Sequence, residues 1–413
     1  MELEKYSFGV GDRFGRQAKA QLQAVIEANK SGINIVPVWN KSHREHTITK
    51  TNPMSTRIEA NDAVLALSWK QSYYCDADHI NIKNVDFYME ACDFFTIDVA
   101  DFIGKSASQE SIETFVKNYS FLPDEAESIG IIDHKITYDQ IQKTAKKILL
   151  AIQEAGKIYR KIISIKGEGT FVTEVSMDET DIPQNPMEML FILAAIADEG
   201  IPVQTIAPRF SGRFNKGVDY VGDIQQFERE FAQHLSIIKY AIQEFNLPQG
   251  LKLSIHSGSD KFSIYPIMNR FLKEHNCGLH IKTAGTTWLE EIIGLAQAGE
   301  SALDMVKYIY KKAYERYEEI CAPYASVIDI DRHLLPSPEQ IDDYSSKQFS
   351  NVLRHDPSCP EYNLNLRQLI HVGYKVAAEL GDDYLKMLDQ NRDIIAQGVQ
   401  DNILNRHILP IFR

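Results

Sequence analysis

The sequence lacks the features of a disulfide-stabilised, membrane-spanning or secreted protein. Its five cysteines are odd in number and scattered without CxxC spacing, which indicates reduced thiols rather than a disulfide framework or a zinc knuckle. It contains no apolar run of about 18 residues, and the opening segment MELEKYSFGVGDRFG has neither the basic start nor the apolar stretch of a signal peptide. These absences predict a cytoplasmic protein with no membrane partner.

Acidic residues outnumber basic ones, 57 to 44. The formal net charge is -13, and no local basic patch interrupts it, so a nucleic-acid partner is disfavoured. Neither an internal repeat nor a low-complexity tract is present. With 413 residues and 44% hydrophobic content, the chain is long and apolar enough to bury a large core, which excludes a disordered protein.

Short apolar runs alternate with longer segments of helical period. Eight runs read as strands, near residues 7, 35, 76, 96, 174, 205, 253 and 280. The predicted helices span 16–29, 55–69, 85–91, 109–118, 138–159, 187–199, 227–245, 262–274 and 288–298. Because parallel strands need crossover connections, this alternation predicts an α/β fold, a (β/α)8 TIM-like barrel with additional C-terminal helices.

The predicted domain organisation is a catalytic barrel over 1–330 and a C-terminal part over 331–413 that packs on it as a single structural unit. Residues 335–367 are rich in Pro, Ser and Asp and have no steady period, which indicates a long excursion. Two last helices are predicted near 364–380 and 383–405. At the start of the helix predicted over 227–245, Asp223 with Gln226 three residues later has the pattern of a capping box.

Three histidines each follow an apolar run at its C-terminal end: His79 in YYCDADHI, His256 in LKLSIHSGS and His280 in GLHIKTAG. A single histidine more often has a structural role, but three at equivalent strand ends favour a shared function. Barrels collect reactive groups where strands end, and imidazole is the commonest metal ligand among side chains. The sequence therefore predicts a divalent-metal site formed by these three residues.

Carboxylates accompany the histidines. In FVTEVSMDET, Glu174, Ser176 and Asp178 share one strand face, and Asp78 lies directly before His79. The alternative is a structural polar layer or an exposed acidic loop. A site is favoured because Glu174 inside an apolar barrel would be costly without a metal or an acid–base role to balance it.

Cations and polar groups at the same rim suit an anionic small substrate, because guanidinium groups bind carboxylates and phosphates bidentately. Lys282 is either a counter-ion for a substrate carboxylate or the partner of a barrel acid, and Arg367 and His371 share a helix face that either covers the barrel mouth or packs elsewhere. The predicted substrate-binding residues are Asp12, Arg13, Asp178, Arg209, Lys216, Asp219, Ser257, Asp260, Lys282, Arg367 and His371.

A resemblance to a known family is carried by these segments, in this order: GDRFG, DADHI, VSMDET, APRF with NKGVDYVGD, SIHSGSDKFS, HIKTAGTTWLE and RQLIHVGY. Over about residues 6 to 375 the chain resembles the tagaturonate epimerase family of bacterial hexuronate breakdown. Its members are similar to metal-dependent sugar enzymes of barrel fold and interconvert D-tagaturonate and D-fructuronate. The resemblance implies that Asp78 is an acid–base group beside the ligand His79, with Glu174, His256 and His280 as further site residues.

The implied reaction inverts a carbon β to the ketone, so its proton is not acidified directly. Either a retro-aldol cleavage and rotation of the aldehyde, or a direct proton exchange between two acid–base groups, would achieve the inversion. We assign metal ligation to His79, His256 and His280, acid–base work to Asp78 and Glu174, and the substrate carboxylate to Arg209, Lys282 or Arg13. These arguments predict a carbohydrate isomerase.

The identity of the metal, the exact function and the oligomeric state stay open at this point. Nitrogen-rich ligation favours zinc, nickel, manganese or iron over magnesium. The alternative functions are a metal-dependent aldolase or ketose isomerase, and a non-catalytic carbohydrate-binding barrel. A small sugar acid is the predicted partner, and the sequence leaves a homo-oligomer open.

Overall fold

A closed barrel of eight parallel strands forms the centre of the protein in a computed structural model that describes residues 1–122, 136–283 and 285–413. The strands are β1 Tyr6–Gly11, β2 Ile35–Ser42, β3 Tyr74–Ile80, β4 Phe94–Asp98, β5 Val172–Ser176, β6 Thr205–Ala207, β7 Lys252–Ile255 and β8 Leu279–Lys282. Each strand pairs with the next in sequence, and β8 closes on β1. The predicted TIM-like barrel is therefore confirmed, and all eight strands lie where the apolar runs indicated.

Helices connect the strands and continue beyond the last one. Up to β8 they are α1 Ala18–Lys30, α2 His43–Thr49, α3 Pro53–Ala66, α4 Gln109–Asn118, α5 Tyr138–Lys166, α6 Pro186–Asp198, α7 Ile224–Glu244 and α8 Tyr265–His275. After β8 they are α9 Thr286–Ala298, α10 Glu300–Glu315, α11 Tyr317–Cys321, α12 Pro338–Asp342, α13 Ser346–Leu353, α14 Leu364–Val372, α15 Tyr374–Leu380, α16 Asp382–Gln390, α17 Arg392–Asp401 and α18 Leu409–Phe412. A π-helix over Asn402–Ile408 joins the last two, and short 3₁₀ turns occur at Val85–Tyr88, Ala100–Phe102, Ala322–Tyr324 and Arg332–Leu334.

Several helix boundaries differ from the prediction. The helix predicted over 85–91 is only a 3₁₀ turn, and α5 runs seven residues past its predicted end because its apolar stripe continues to Ile162. Asp223 does cap α7 by accepting from two backbone amides, whereas the Gln226 side chain bonds Glu230 instead of returning. Gly373 divides the helix predicted over 364–380 into two.

Alternate side chains of each strand point into the barrel, so paired residues form horizontal layers. The lowest layers are apolar and include Val36, Val38, Tyr74, Phe94 and Val172. The layers above them, toward the carboxyl ends of the strands, are polar and charged. The lower part of the barrel is therefore a packed apolar core, and a buried polar site lies above it.

The C-terminal helices pack against α9, the helix that follows β8. Trp288 donates from its indole N–H to Ile370 O at 2.8 Å, and its ring lies 5.8 Å from that of Tyr384 between centroids. Within the described residues, no helix is long and apolar enough to cross a membrane. All five cysteines are free thiols.

Candidate active site

The carboxyl ends of the strands surround a cavity of about 720 Å³. Its wall contains strand-end residues and the loops that follow β2, β5, β6 and β7. The charged and histidine residues of the wall are Arg13, His43, Arg44, Glu45, Asp78, His79, Asp98, Asp178, Glu179, Arg209, Arg213, Lys216 and His256. The cavity therefore lies at the end of the barrel where active sites of this fold are found.

His79 reaches the cavity through a local distortion of β3. In a regular strand Asp78 and His79 would point to opposite faces. The pairing with β4 shifts register between Ala77 and Ile80, and His79 has a φ of 54°, in the left-handed region. Such strain in a non-glycine residue is typical of functional sites, and here it turns both side chains toward the cavity.

His79, Asp178 and His256 form the group that could hold a metal ion among the described residues. Their candidate ligand atoms all lie within 4.8 Å of one another. His79 Nε2 is 3.2 Å and His256 Nδ1 is 2.9 Å from Asp178 Oδ1. Ligand atoms on one ion, with bonds of about 2.1 Å, would lie about 3.0 to 3.4 Å apart, so these two distances permit a shared cation.

The contact between His256 and Asp178 is a buried ion pair. His256 Nδ1 lies 2.9 Å from Asp178 Oδ1, and Asp178 raises the pKa of this imidazole. The other ring nitrogens are held by carboxylates: His79 Nδ1 lies 2.9 Å from Asp78 Oδ1, and His256 Nε2 lies 2.7 Å from Glu174 Oε1. Metal-binding histidines are commonly oriented in this way.

Lys282 lies next to this group and forms ion pairs with three carboxylates. Its Nζ is 2.6 Å from Asp76 Oδ2, 2.9 Å from Asp78 Oδ1 and 3.0 Å from Glu174 Oε1, and it donates to Thr96 Oγ1 at 2.5 Å. Of the two roles that the sequence left open, the structure has Lys282 as the partner of barrel acids. It does not line the cavity wall formed by the described residues.

Carboxylates lie next to both candidate ligand histidines. Burial would lower the pKa of both ligand histidines, but the surrounding carboxylates raise that of His256 to about 9 and that of His79 well above its usual value. Burial likewise favours protonation of Asp178, yet the two imidazoles hold its pKa well below the ordinary range. A metal ion bound here would take the place of the imidazole protons beside these carboxylates.

His280 is not a member of the group. On β8 it precedes Lys282 by two residues, so it lies one layer deeper, about 6.6 Å lower along the strand. Its Nδ1 is bonded to Ser7, its ring packs 5.2 Å from Phe94 between centroids, and burial lowers its pKa to about 3. Among the described residues, the atoms close enough to share one ion belong to His79, Asp178 and His256, so the three predicted histidines are not brought together.

The two predicted acid–base residues lie at different depths. Asp78 is part of the cavity wall. Glu174 is fully buried behind His256 and is not on the wall formed by the described residues. Burial would raise the pKa of Glu174, but Lys282 and His256 hold it well below its usual value. Glu174 is therefore placed to orient His256 rather than to touch a ligand.

Asp98 is a wall residue that the sequence interpretation missed. It ends β4, accepts from Ala100 N at 2.9 Å, and has its pKa raised by burial, against the opposing effect of His79. The sequence carries a signal for it, because FFTIDVA predicts a strand and Asp98 lies at the carboxyl end of that strand.

The predicted substrate-binding residues divide into two sets. Arg13, Asp178, Arg209, Lys216 and Ser257 belong to the cavity wall. Arg13 is paired with Glu45 at 2.8 Å and stacks on Tyr374, 3.9 Å from the ring centroid. Ser257 has a φ of 49°, a second strained position directly after a candidate ligand.

The remaining predicted residues lie behind the wall formed by the described part of the chain. Asp12 accepts from three backbone amides of the loop after β1, and Asp219 accepts from the Ser263 amide and hydroxyl. Arg367 is fully buried and donates to Asp260 Oδ2 at 3.0 Å. His371 is also buried, next to Gly285. The helix face that carries Arg367 and His371 is therefore packed inside the protein.

Comparison with known proteins gives a consistent family. The model of the tagaturonate epimerase family, UxaE, matches residues 1–409. The tagaturonate/fructuronate epimerase of Thermotoga maritima is 28% identical over 417 residues, covering 97% of this chain and 80% of that protein. Two crystal structures of the fructuronate-tagaturonate epimerase from Cohnella laeviribosi are similar in fold, one with a glycerol complexed (TM-score 0.80, 24% identity) and one native (TM-score 0.78, 23% identity). Each alignment covers 100% of this chain and 82% of the other.

Proposed function

The chain belongs to the tagaturonate epimerase family, and from this premise we propose that it interconverts D-tagaturonate and D-fructuronate with a divalent metal ion held by His79, Asp178 and His256. The observation that carries the proposal is the position of this ligand group on the wall of the strand-end cavity, next to Asp78 and Asp98. A ketouronate would have both a metal site and titrating groups within reach.

The donor set suits a transition metal. Two imidazoles and one carboxylate favour zinc, nickel, manganese or iron over magnesium. The carboxylates behind the imidazoles and the hydrogen bond from Ser176 Oγ to Asp178 Oδ1, at 2.5 Å, would fix the ligands in place. When bound, the ion would supply a Lewis acid that polarises an oxygen of the substrate.

The residues of the chain supply the proton transfers. In a retro-aldol route, a carboxylate removes the proton of the hydroxyl on the inverted carbon, and the bond to the neighbouring carbon breaks with its electron pair moving into the enediolate. The aldehyde rotates, the bond re-forms, and the proton returns. In the direct route, two groups on opposite faces exchange the proton of the inverted carbon.

We assign the two titrating roles on the wall to Asp78 and Asp98. Lys282 and His79 lower the pKa of Asp78 despite its burial, whereas burial raises that of Asp98. Environments that separate the pKa values of two nearby acids are typical of acid–base pairs. This assignment keeps Asp78 from the sequence interpretation and gives Glu174 the role of orienting His256.

Activity assays with defined metals test the proposal. The purified protein is stripped with a chelator, reloaded with one metal at a time, and incubated with D-fructuronate and, separately, with D-tagaturonate. Both reactions are expected to converge on one product ratio, and activity is expected to vanish on stripping and return on reloading. Absence of conversion in both directions, or full activity in the stripped protein, would contradict the proposal.

A matched pair of variants tests the ligand set. Asp178→Asn removes a ligand charge and is expected to release the metal, as measured by elemental analysis after dialysis. Asp181→Asn changes the same residue type in an exposed position on the same loop and is expected to keep it. Equal metal content in both variants would rule out Asp178 as a ligand. Performing the reaction in heavy water distinguishes the routes, because retro-aldol cleavage need not place deuterium on the inverted carbon.

A further inference from the structure

Lys216 is a cation on the cavity wall without an acidic partner among the residues that the structure describes. Its Nζ donates to Ser257 Oγ at 2.9 Å. By contrast, Arg13 and Arg213 on the same wall are each paired with a carboxylate. A lysine that faces a polar cavity without a counter-ion is suited to an anionic group of a ligand.

The loop that carries Lys216 is held from behind by a buried lysine. Lys261 Nζ donates to Asn215 O at 2.9 Å and to Val218 O at 2.7 Å, on either side of Lys216. Lys261 is fully buried, and its third bond is to Ser259 O, also at 2.9 Å. The ammonium group thus bonds only main-chain carbonyls and clamps both ends of a four-residue segment.

A buried arginine holds the same loop at its middle. Arg367 Nε donates to Gly217 O at 2.5 Å. Its other nitrogens are held by Leu353 O at 2.7 Å and by Asp260 Oδ2 at 3.0 Å, so the guanidinium is fixed to the body of the protein. Arg367 has no exposed surface. Gly217 itself has a φ of 74°, which permits the turn that presents its carbonyl to the arginine.

Lys261 and Arg367 together donate to the carbonyls of Asn215, Gly217 and Val218, so buried side chains hold three of the four residues of this short segment. The result is a rigid main chain from which Lys216 points into the cavity and meets Ser257. Arg44 and Arg209 also have no acidic partner among the described residues. Arg44 is exposed and donates to Pro323 O at 3.3 Å, and the Arg209 guanidinium donates to Asp178 O at 3.5 Å. Preorganisation therefore favours Lys216 over Arg44 and Arg209 as the anion-binding cation.

We propose that Lys216, oriented by Ser257, binds the carboxylate of the sugar acid and makes the site prefer ketouronates to neutral ketohexoses. The inference rests on the proposed function. A ketouronate has a carboxylate where the matching ketohexose has a hydroxymethyl group. Lys261 and Arg367 act as positioning residues for the loop.

The test compares Lys216→Met with Arg209→Met and the wild-type protein. For each, the KM for D-fructuronate is measured together with the inhibition constant of a neutral ketohexose, D-tagatose, as a competitor. Loss of a charge-assisted contact is expected to raise the KM of Lys216→Met by about 10- to 100-fold. The inhibition constant of D-tagatose is expected to stay within about twofold, because the neutral sugar never used the charge. Lys239→Met, an exposed residue on α7, is the control for charge removal.

Two outcomes would overturn the inference: an unchanged KM in Lys216→Met, or a selective loss of uronate affinity in Arg209→Met instead. Equal weakening of both sugars in Lys216→Met would also count against it, since that indicates general damage to the site. Calorimetric binding of D-fructuronate to wild type and variant decides the inference without turnover. Failure of the proposed function is distinct, because it would be seen as wild-type protein that converts no ketouronate.

Discussion

Replacing Lys282 by Met removes a buried cation that contacts three carboxylates. Asp76, Asp78 and Glu174 all have an oxygen within 3.0 Å of Lys282 Nζ. Removing one member of a buried ion pair typically costs about 3–5 kcal/mol, because the partner charge stays buried. Against a typical stability of about 5–15 kcal/mol, this loss would be readily measured. We expect Lys282→Met to lose about 3–5 kcal/mol of unfolding free energy at pH 7.5.

The loss should shrink as the pH falls. Burial raises the folded pKa of Asp76 from 3.8 to about 7 even with Lys282 present. Without the lysine, the folded pKa of Asp76 rises further above its value near 4 in the unfolded chain, while His79 and His256 still lower those of Asp78 and Glu174. A raised folded pKa gives stability that is present at low pH and lost as pH rises through that value. Each additional proton bound by the folded variant therefore returns about 1.4 kcal/mol per pH unit on acidification.

The assay is urea unfolding followed by circular dichroism between pH 5.5 and 7.5, on metal-free proteins so that ion binding does not contribute. Lys252→Met is the control, since Lys252 is a buried barrel lysine that donates to Leu3 O and Glu4 O rather than to carboxylates. Burial lowers its pKa to about 8, so both folded and unfolded states are protonated below pH 7.5 and the difference from wild type should be flat. A flat difference for Lys282→Met as well, or no loss of stability at pH 7.5, would refute the reasoning.

Three further predictions concern catalysis, metal binding and the fold. Asp98→Asn should lower kcat by about 10²- to 10⁴-fold with metal content unchanged, and a kcat within threefold of wild type in steady-state assays would exclude acid–base work by this residue. Glu174→Gln should weaken metal affinity by about 10- to 100-fold in a chelator competition, since it loses the charge behind His256; a fall in kcat at unchanged metal affinity would instead support the catalytic role first predicted for it. Gly285→Ala should lower the melting temperature, because Gly285 has a φ of 89° and an added Cβ would lie 2.2 Å from His371 Nε2. The expected loss of unfolding free energy is at least about 1–2 kcal/mol. An unchanged thermal transition would show that the turn relaxes freely.

The fold was predictable because its signals are local. Each strand was marked by a short apolar run and each crossover by a segment of helical period, and chain connectivity then left few arrangements for eight such units. The ends of the helices were predicted less accurately. Gly373 ends α14 although the apolar pattern continues past it, and the 3₁₀ turn at Val85–Tyr88 has a helical pattern too short to propagate.

The candidate site was predictable in part. Residues at strand ends, among them Asp78, His79, Asp178 and His256, could be expected near the barrel mouth from position alone. The side chains that share one cation could not be chosen in this way. His79 and His256 lie close together because β3 has a register shift and a residue in the left-handed region. The sequence DADHI predicts neither the register shift nor the left-handed residue.

By itself, the sequence determined the barrel, its polar strand ends and the kind of chemistry they suit. Only the tertiary structure decided which residues are neighbours. His280 lies one layer below the candidate ligand group, and Lys282 forms ion pairs with three acids. Arg367 donates to a loop that is far from it in sequence. The reason is physical. The height of a side chain in a barrel depends on how each strand is registered against the next, and that register is set by the packing of all eight strands together.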